Sequence, residues 1–209
     1  EVYKGQLLML PAGLAMAAFF PLAGALSDRI QPRLVIIAGL LLFTISSWLM
    51  RVVDINTAYG MIVLWALIGR VGLALIFPSL NVASLATLPM KYLSQGSGAV
   101  NFLRQLGGTF GVNLLSIFLA RRTSEFSQQL TETQVPSHAT LELLFNVQDL
   151  MFRDHFGFIM QFPASFGFLS NIIYAQALTH AYREGFMLIA VVFLISIIPT
   201  WFMYVERKR

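Results

Sequence analysis

The chain has 209 residues, 57% of them hydrophobic and 11% charged, with a mean hydropathy of +0.72. A soluble domain carries about 25% charged residues, so a surface that mainly meets water is excluded. The net charge of +4 is modest, and three basic residues at the extreme C-terminus suit an anionic membrane surface better than a nucleic acid. With no cysteine there is neither a disulfide framework nor a thiolate metal site. The sequence begins with Glu1 and has no basic leader followed by a cleavage site, so a fragment of a longer protein is expected.

The first apolar run, Gln6 to Leu26, carries no charge. It is about long enough to cross roughly 30 Å of hydrocarbon at 1.5 Å per residue. Pro11-Ala-Gly13 would weaken a soluble helix, but in a membrane neighbouring helices re-satisfy the freed backbone groups. Small residues at Gly13, Ala17, Gly24 and Ala25 permit close contacts. The run ends in Ser27-Asp28-Arg29, turns at Pro32 and resumes, which predicts a helical hairpin with a tight, charged turn. The second run, Leu34 to Met50, places Trp48 near its far end, where an interfacial aromatic belongs.

The third run, Ala58 to Leu88, contains Arg70 within Gly69-Arg70-Val71-Gly72, then Phe77-Pro78. A cation at that depth costs a few kcal/mol on insertion scales and must face protein or water. Arg70 therefore either bonds backbone as a packing element or lines a cavity. The fourth run, Gly96 to Ala120, contains Asn101, Arg104 and Gln105 at i, i+3 and i+4, so the three share one face. Gly107 and Gly111 are a small-xxx-small pair suited to a close crossing, with Gly108 between them. Arg104 is expected to face the cavity, because its neighbours on that face are polar.

From Arg121 the composition changes. Residues 121–154 hold half of the carboxylates: Glu125, Glu132, Glu142, Asp149 and Asp154. An extramembrane segment with short surface helices is expected there. Phe156 to Thr179 is uncharged but diluted by Gln, Ser, Asn and Pro; an interfacial helix-turn-helix is favoured over a span. The last run, Gly185 to Tyr204, reads as a span ending in Glu206-Arg-Lys-Arg209. The predicted fold is an all-α membrane protein of five transmembrane helices, at about 6–26, 34–52, 58–80, 94–120 and in 184–209, with an extramembrane or interfacial segment over 121–183.

No catalytic or metal motif is present: no G-x-S-x-G elbow, phosphate loop or metalloprotease signature. His138, His155 and His180 show no ligand spacing. No enzyme activity and no cofactor are expected. No carboxylate lies inside a predicted span. Proton-coupled transport needs an ionisable group whose pKa moves through working pH, and arginine keeps its proton. A proton carrier would therefore lie outside this chain.

Gly24-x-Leu26-x-Asp28-Arg29-x-Gln31-Pro32-Arg33 resembles the G-x-L-x-D-R-x-G-x-R signature of the major facilitator superfamily, with Gln31 where that family prefers glycine. Asn101-Phe102-x-Arg104-Gln105-x-Gly107-Gly108-x-x-Gly111 is similar to the C-terminal half of the fourteen-span drug:proton antiporters of the EmrB/QacA type. Gly5-Gln6 with Pro11-Ala-Gly13 also resembles that family, whereas Ala74 departs from it. The resemblance implies most of the C-terminal bundle of a major facilitator fold, in a proton-coupled exporter of lipophilic drugs or toxic compounds across the inner (plasma) membrane of a bacterium. It places the Asp28 turn and the C-terminus in the cytoplasm. It makes Gly24, Asp28, Arg29 and Arg33 a cytoplasmic latch, while depth and the shared polar face, not the resemblance, make Arg70, Asn101, Arg104 and Gln105 the candidate cavity or substrate pathway. The partners it implies are the lipid bilayer, a small lipophilic substrate, an absent N-terminal half and, from the long segment before the last helix, a periplasmic adaptor protein. The competing expectation is a truncated, non-transporting membrane scaffold.

Overall fold

The computed structural model describes residues 2–54, 57–86, 88–133 and 158–203, with side chains described over 13–27, 29–54, 57–86, 88–131 and 170–203. Among the described residues all regular elements are helical: α1 (Val2–Arg29), α2 (Pro32–Met50), α3 (Tyr59–Ala86), a 3₁₀ turn (Met90–Tyr92), α4 (Leu93–Thr133), α5 (Phe158–Ile195) and α6 (Ile197–Trp201). Among the described residues four helical stretches are long and apolar enough to cross a membrane: Pro32–Met50, Tyr59–Ala86, Met90–Thr131 and Ser170–Trp201. In α1 the described side chains give a shorter apolar stretch, Gly13–Ser27. With lipid as solvent, each helix satisfies its own backbone, so the strongly apolar runs fold as continuous helices.

The chain divides into two compact units, 1–113 with 183–209, and 114–182. In the first, α3 packs on both α1 and α2. The α2–α3 contact is a close backbone approach. A Cβ added to Gly39 would lie 2.7 Å from the Gly72 carbonyl oxygen, and one on Gly72 would lie 2.7 Å from the Gly39 carbonyl oxygen. One turn further along, a Cβ on Gly69 would lie 2.6 Å from Ser46 Oγ. That hydroxyl donates to the Trp65 carbonyl at 2.7 Å. Ile36, Leu40 and Ala83 form the buried core, covered by Ile76, Phe193, Ile197 and Met203. Phe193 also meets Phe43 with ring centroids 4.3 Å apart. The end of α5 and α6 thus close over α2. Arg183 Nε donates to the Arg51 carbonyl at 2.9 Å, placing a cation where the α2 dipole is negative.

In the second unit Ile173, Ala177, Ala181 and Thr123 are buried. Arg122 pairs with Glu125 at 2.7 Å and lies over the Phe126 ring. Phe126 in turn meets His180, centroids 5.4 Å apart.

Three observations differ from the sequence reading. First, α4 does not stop near 120 but runs to Thr133, and its 41 residues make about 60 Å of helix. Second, α5 is one unbroken helix of 38 residues, Phe158–Ile195, instead of an interfacial helix-turn-helix followed by a new span. Neither Gly nor Pro interrupts 168–184, and Tyr174-Ala-Gln-Ala-Leu-Thr-His-Ala181 contains good helix formers, so the polar side chains do not end the helix. Third, α1 meets α3 at Ser27, which is buried against Ser79, and Ala23 one turn earlier is buried too. Gly13 and Gly24 have nothing within 4 Å of an added Cβ, and Ala17 and Ala25 are exposed. The sequence reading of 134–157 lies outside the described residues.

Candidate functional site

Two places in the first unit collect polar side chains on apolar helices. The first is the end of α1 with its turn. Only Ile30 and Gln31 separate α1 from α2, and Pro32 occupies the first turn of α2, where its missing N–H costs nothing. Gln31 stands at the N-cap but its side chain makes no cap bond; its Oε1 accepts from Arg33 Nε at 2.8 Å instead. Gly24 is half-buried, Arg29 is exposed, and the Asp28 side chain lies outside the described residues. Just inside the turn the Ser27 and Ser79 hydroxyls lie 2.6 Å apart, joining α1 to α3. Ser27 also reaches the Ala23 carbonyl at 2.9 Å, and Ser79 the Leu75 carbonyl at 2.7 Å. Each hydroxyl has one proton, so whichever donates across the pair releases its own carbonyl.

The second place is where the Arg104 side chain of α4 reaches α3. Arg70, Ala74, Phe77 and Asn81 follow one another at spacings of four, three and four, so they form one stripe along α3. Arg104 of α4 sits on the far end of that stripe. Its Nη2 donates to Asn81 Oδ1 at 2.6 Å, and its guanidinium carbon lies 5.8 Å from the centre of the Phe77 ring. Arg70 is half-buried about 10 Å before Phe77 along the same helix. Asn101 and Gln105 are exposed on the Arg104 face of α4. Gly107, Gly108 and Gly111 meet nothing within 4 Å of an added Cβ, so among the described residues no helix packs on them.

The structure therefore brings Arg104 to two residues that sequence reading did not assign, Asn81 and Phe77. Asn81 escaped because it is a single amide in a long apolar run, 23 residues from its partner. The signal that could have found it is the i, i+7, i+11 spacing of Arg70, Phe77 and Asn81. Among the described residues no group of three or more His, Cys, Asp or Glu is placed to hold a metal.

Residues 4–125 match the family described as Major Facilitator Superfamily, and that range holds every site residue named above. The chain belongs to the major facilitator superfamily. Superfamily membership and its apolar helices make it an integral membrane protein. It is 31% identical over 150 residues, 71% of this chain and 28% of the relative, to the uncharacterized MFS-type transporter YhcA of Bacillus subtilis. It is 22% identical over 202 residues, 96% of this chain and 39% of the relative, to the colistin resistance protein EmrB of Acinetobacter baumannii. It is 24% identical over 193 residues, 92% of this chain and 36% of the relative, to the probable multidrug resistance protein EmrY of Escherichia coli. The chain thus spans between 28% and 39% of the length of these superfamily relatives. No solved structure matches it.

Proposed function

We propose that these helices are part of a secondary transporter that exports lipophilic, drug-like compounds across the plasma membrane in exchange for protons. Membership of the superfamily and the names of its relatives, colistin resistance and multidrug resistance, support the substrate class. The observation that carries the reading within the chain is Arg104, a cation on a membrane-depth helix, held by an amide and an aromatic ring of α3. A structural arginine facing lipid would be costly; one held at a helix junction can serve a polar pathway. Arg70, Asn101 and Gln105 extend that pathway, and Gly107, Gly108 and Gly111 offer a surface for the helices that complete the bundle. The Gly24, Asp28, Arg29 and Arg33 turn is the cytoplasmic latch, and the C-terminus lies on the same side. The proton carrier is placed in the complementary half, because Arg70 and Arg104 keep their protons and the span-length helices α2 and α3 hold no carboxylate. Half of a two-bundle transporter has no second wall for a midplane site. The length of α4 and α5 suits contact with a periplasmic adaptor.

The test is dye efflux from bacterial cells lacking their own pumps. The natural full-length protein is expected to lower dye accumulation, and a protonophore is expected to abolish that effect. The 209-residue chain alone is expected to do nothing. A full-length protein that inserts yet exports no compound in a panel of lipophilic dyes would favour the scaffold reading.

A further inference from the structure

The partners that hold Arg104 among the described residues carry no charge. Between Asp54 and Glu125 the sequence has no carboxylate, yet this stretch contains all of α3, the membrane part of α4, and both Arg70 and Arg104. The acceptor of Arg104 among the described residues is the neutral amide oxygen of Asn81, at 2.6 Å. Phe77, one turn before Asn81 on the same stripe, offers the face of its ring. Both groups orient the guanidinium, and neither cancels its charge. Asn81 is half-buried and Arg104 stays exposed.

A structural clamp for an arginine in hydrocarbon would be expected to use a carboxylate, since an uncompensated charge is expensive there. An aspartate has the size of asparagine and would reach the same atom. An amide does something different. It holds the guanidinium in one place while leaving its charge available to an oxyanion that binds and leaves. We propose that Asn81 is a positioning residue that holds Arg104 in a fixed orientation as an uncompensated cation, so that Arg104 can act electrostatically once per transport cycle. The proposal rests on the transport reading above and deepens it.

The two roles predict opposite behaviour for Asn81→Asp in the natural full-length protein. A permanent ion pair with Arg104 is expected to leave membrane level and thermal midpoint in detergent equal or raised. Efflux per inserted molecule is expected to fall on the order of tenfold, because the charge is then engaged by its neighbour. Asn81→Ala removes the anchor but not the charge. It is expected to raise the apparent KM and lower the rate several-fold at normal membrane level, as a misplaced group does. Asn81→Asp with wild-type efflux per molecule would overturn the proposal. If Asn81→Asp fails to insert, Asn81→Ala decides alone: unchanged KM and rate overturn the assignment, and a raised KM supports it. A wild type that exports nothing overturns the transport reading and this proposal together. A wild type that exports alongside equally active Asn81 variants overturns only the role of Asn81.

Discussion

Gly39 and Gly72 face each other across the α2–α3 crossing so closely that a Cβ on either would come within 2.7 Å of the other's carbonyl oxygen. Lipid tails are as apolar as leucine, so helices in a bilayer associate through close packing and polar contacts, not through burial from water. The glycine pair is what allows the approach, and the approach fixes α3 and its Arg70–Asn81 stripe relative to α2.

Adding one methyl here should therefore be harmful. Gly72→Ala would also meet the Phe43 backbone nitrogen at 2.9 Å, and neither obstacle is a flexible side-chain tip. A loss of about 1–3 kcal/mol is expected, as for other overpacked sites. It would be read as a lower thermal midpoint of the purified protein. Gly60→Ala, with nothing within 4 Å of its Cβ, should be neutral or slightly stabilising. Equal midpoints for the two variants would contradict the close crossing.

The Ser27–Ser79 contact should behave as a modest interhelical bond. Membrane hydrogen bonds measured by double-mutant cycles average about 0.6 kcal/mol and reach about 1.7. A cycle of Ser27→Ala, Ser79→Ala and the double variant is expected to give a coupling in that range. Each hydroxyl retains a backbone carbonyl as an alternative acceptor, which argues for the lower end. Zero coupling would remove the contact as a link between α1 and α3.

The latch proposed above lies in the turn that follows Ser27. Asp28→Asn keeps the size and removes the charge on which the proposed latch depends. Efflux of the full-length protein should fall while its membrane level stays normal. Normal level with full efflux would eliminate the latch.

How far these features were legible in the sequence depends on where their causes lie. The apolar runs of α2 and α3 and the turn at Asp28-Arg29 could be read directly, because bilayer thickness and the cost of buried charge act on local sequence. The polar face of Asn101, Arg104 and Gln105 follows from helical spacing alone. The partner of Arg104 does not, since Asn81 is an isolated amide that acquires meaning only from the α3–α4 junction. Gly39 is equally silent until Gly72 is opposite it. The continuity of α5 was hidden by Gln161, Ser170 and Asn171, which read as interface residues but are tolerated within a helix.

Arg104 as a functional cation, instead of a packing element, is the claim on which the transport reading of the α3–α4 junction depends. The decisive measurement is efflux by the full-length protein, normalised to the amount inserted in the membrane, for Arg104→Lys and Arg104→Ala. Lysine keeps the charge but loses the planar five-donor fork that reaches Asn81 and lies against Phe77, so a reduced rate is predicted. Alanine removes both, and a loss on the order of a hundredfold is predicted. If Arg104→Ala merely lowers the amount of inserted protein while each remaining molecule exports at the wild-type rate, Arg104 is a structural residue and the site proposed at the α3–α4 junction is contradicted.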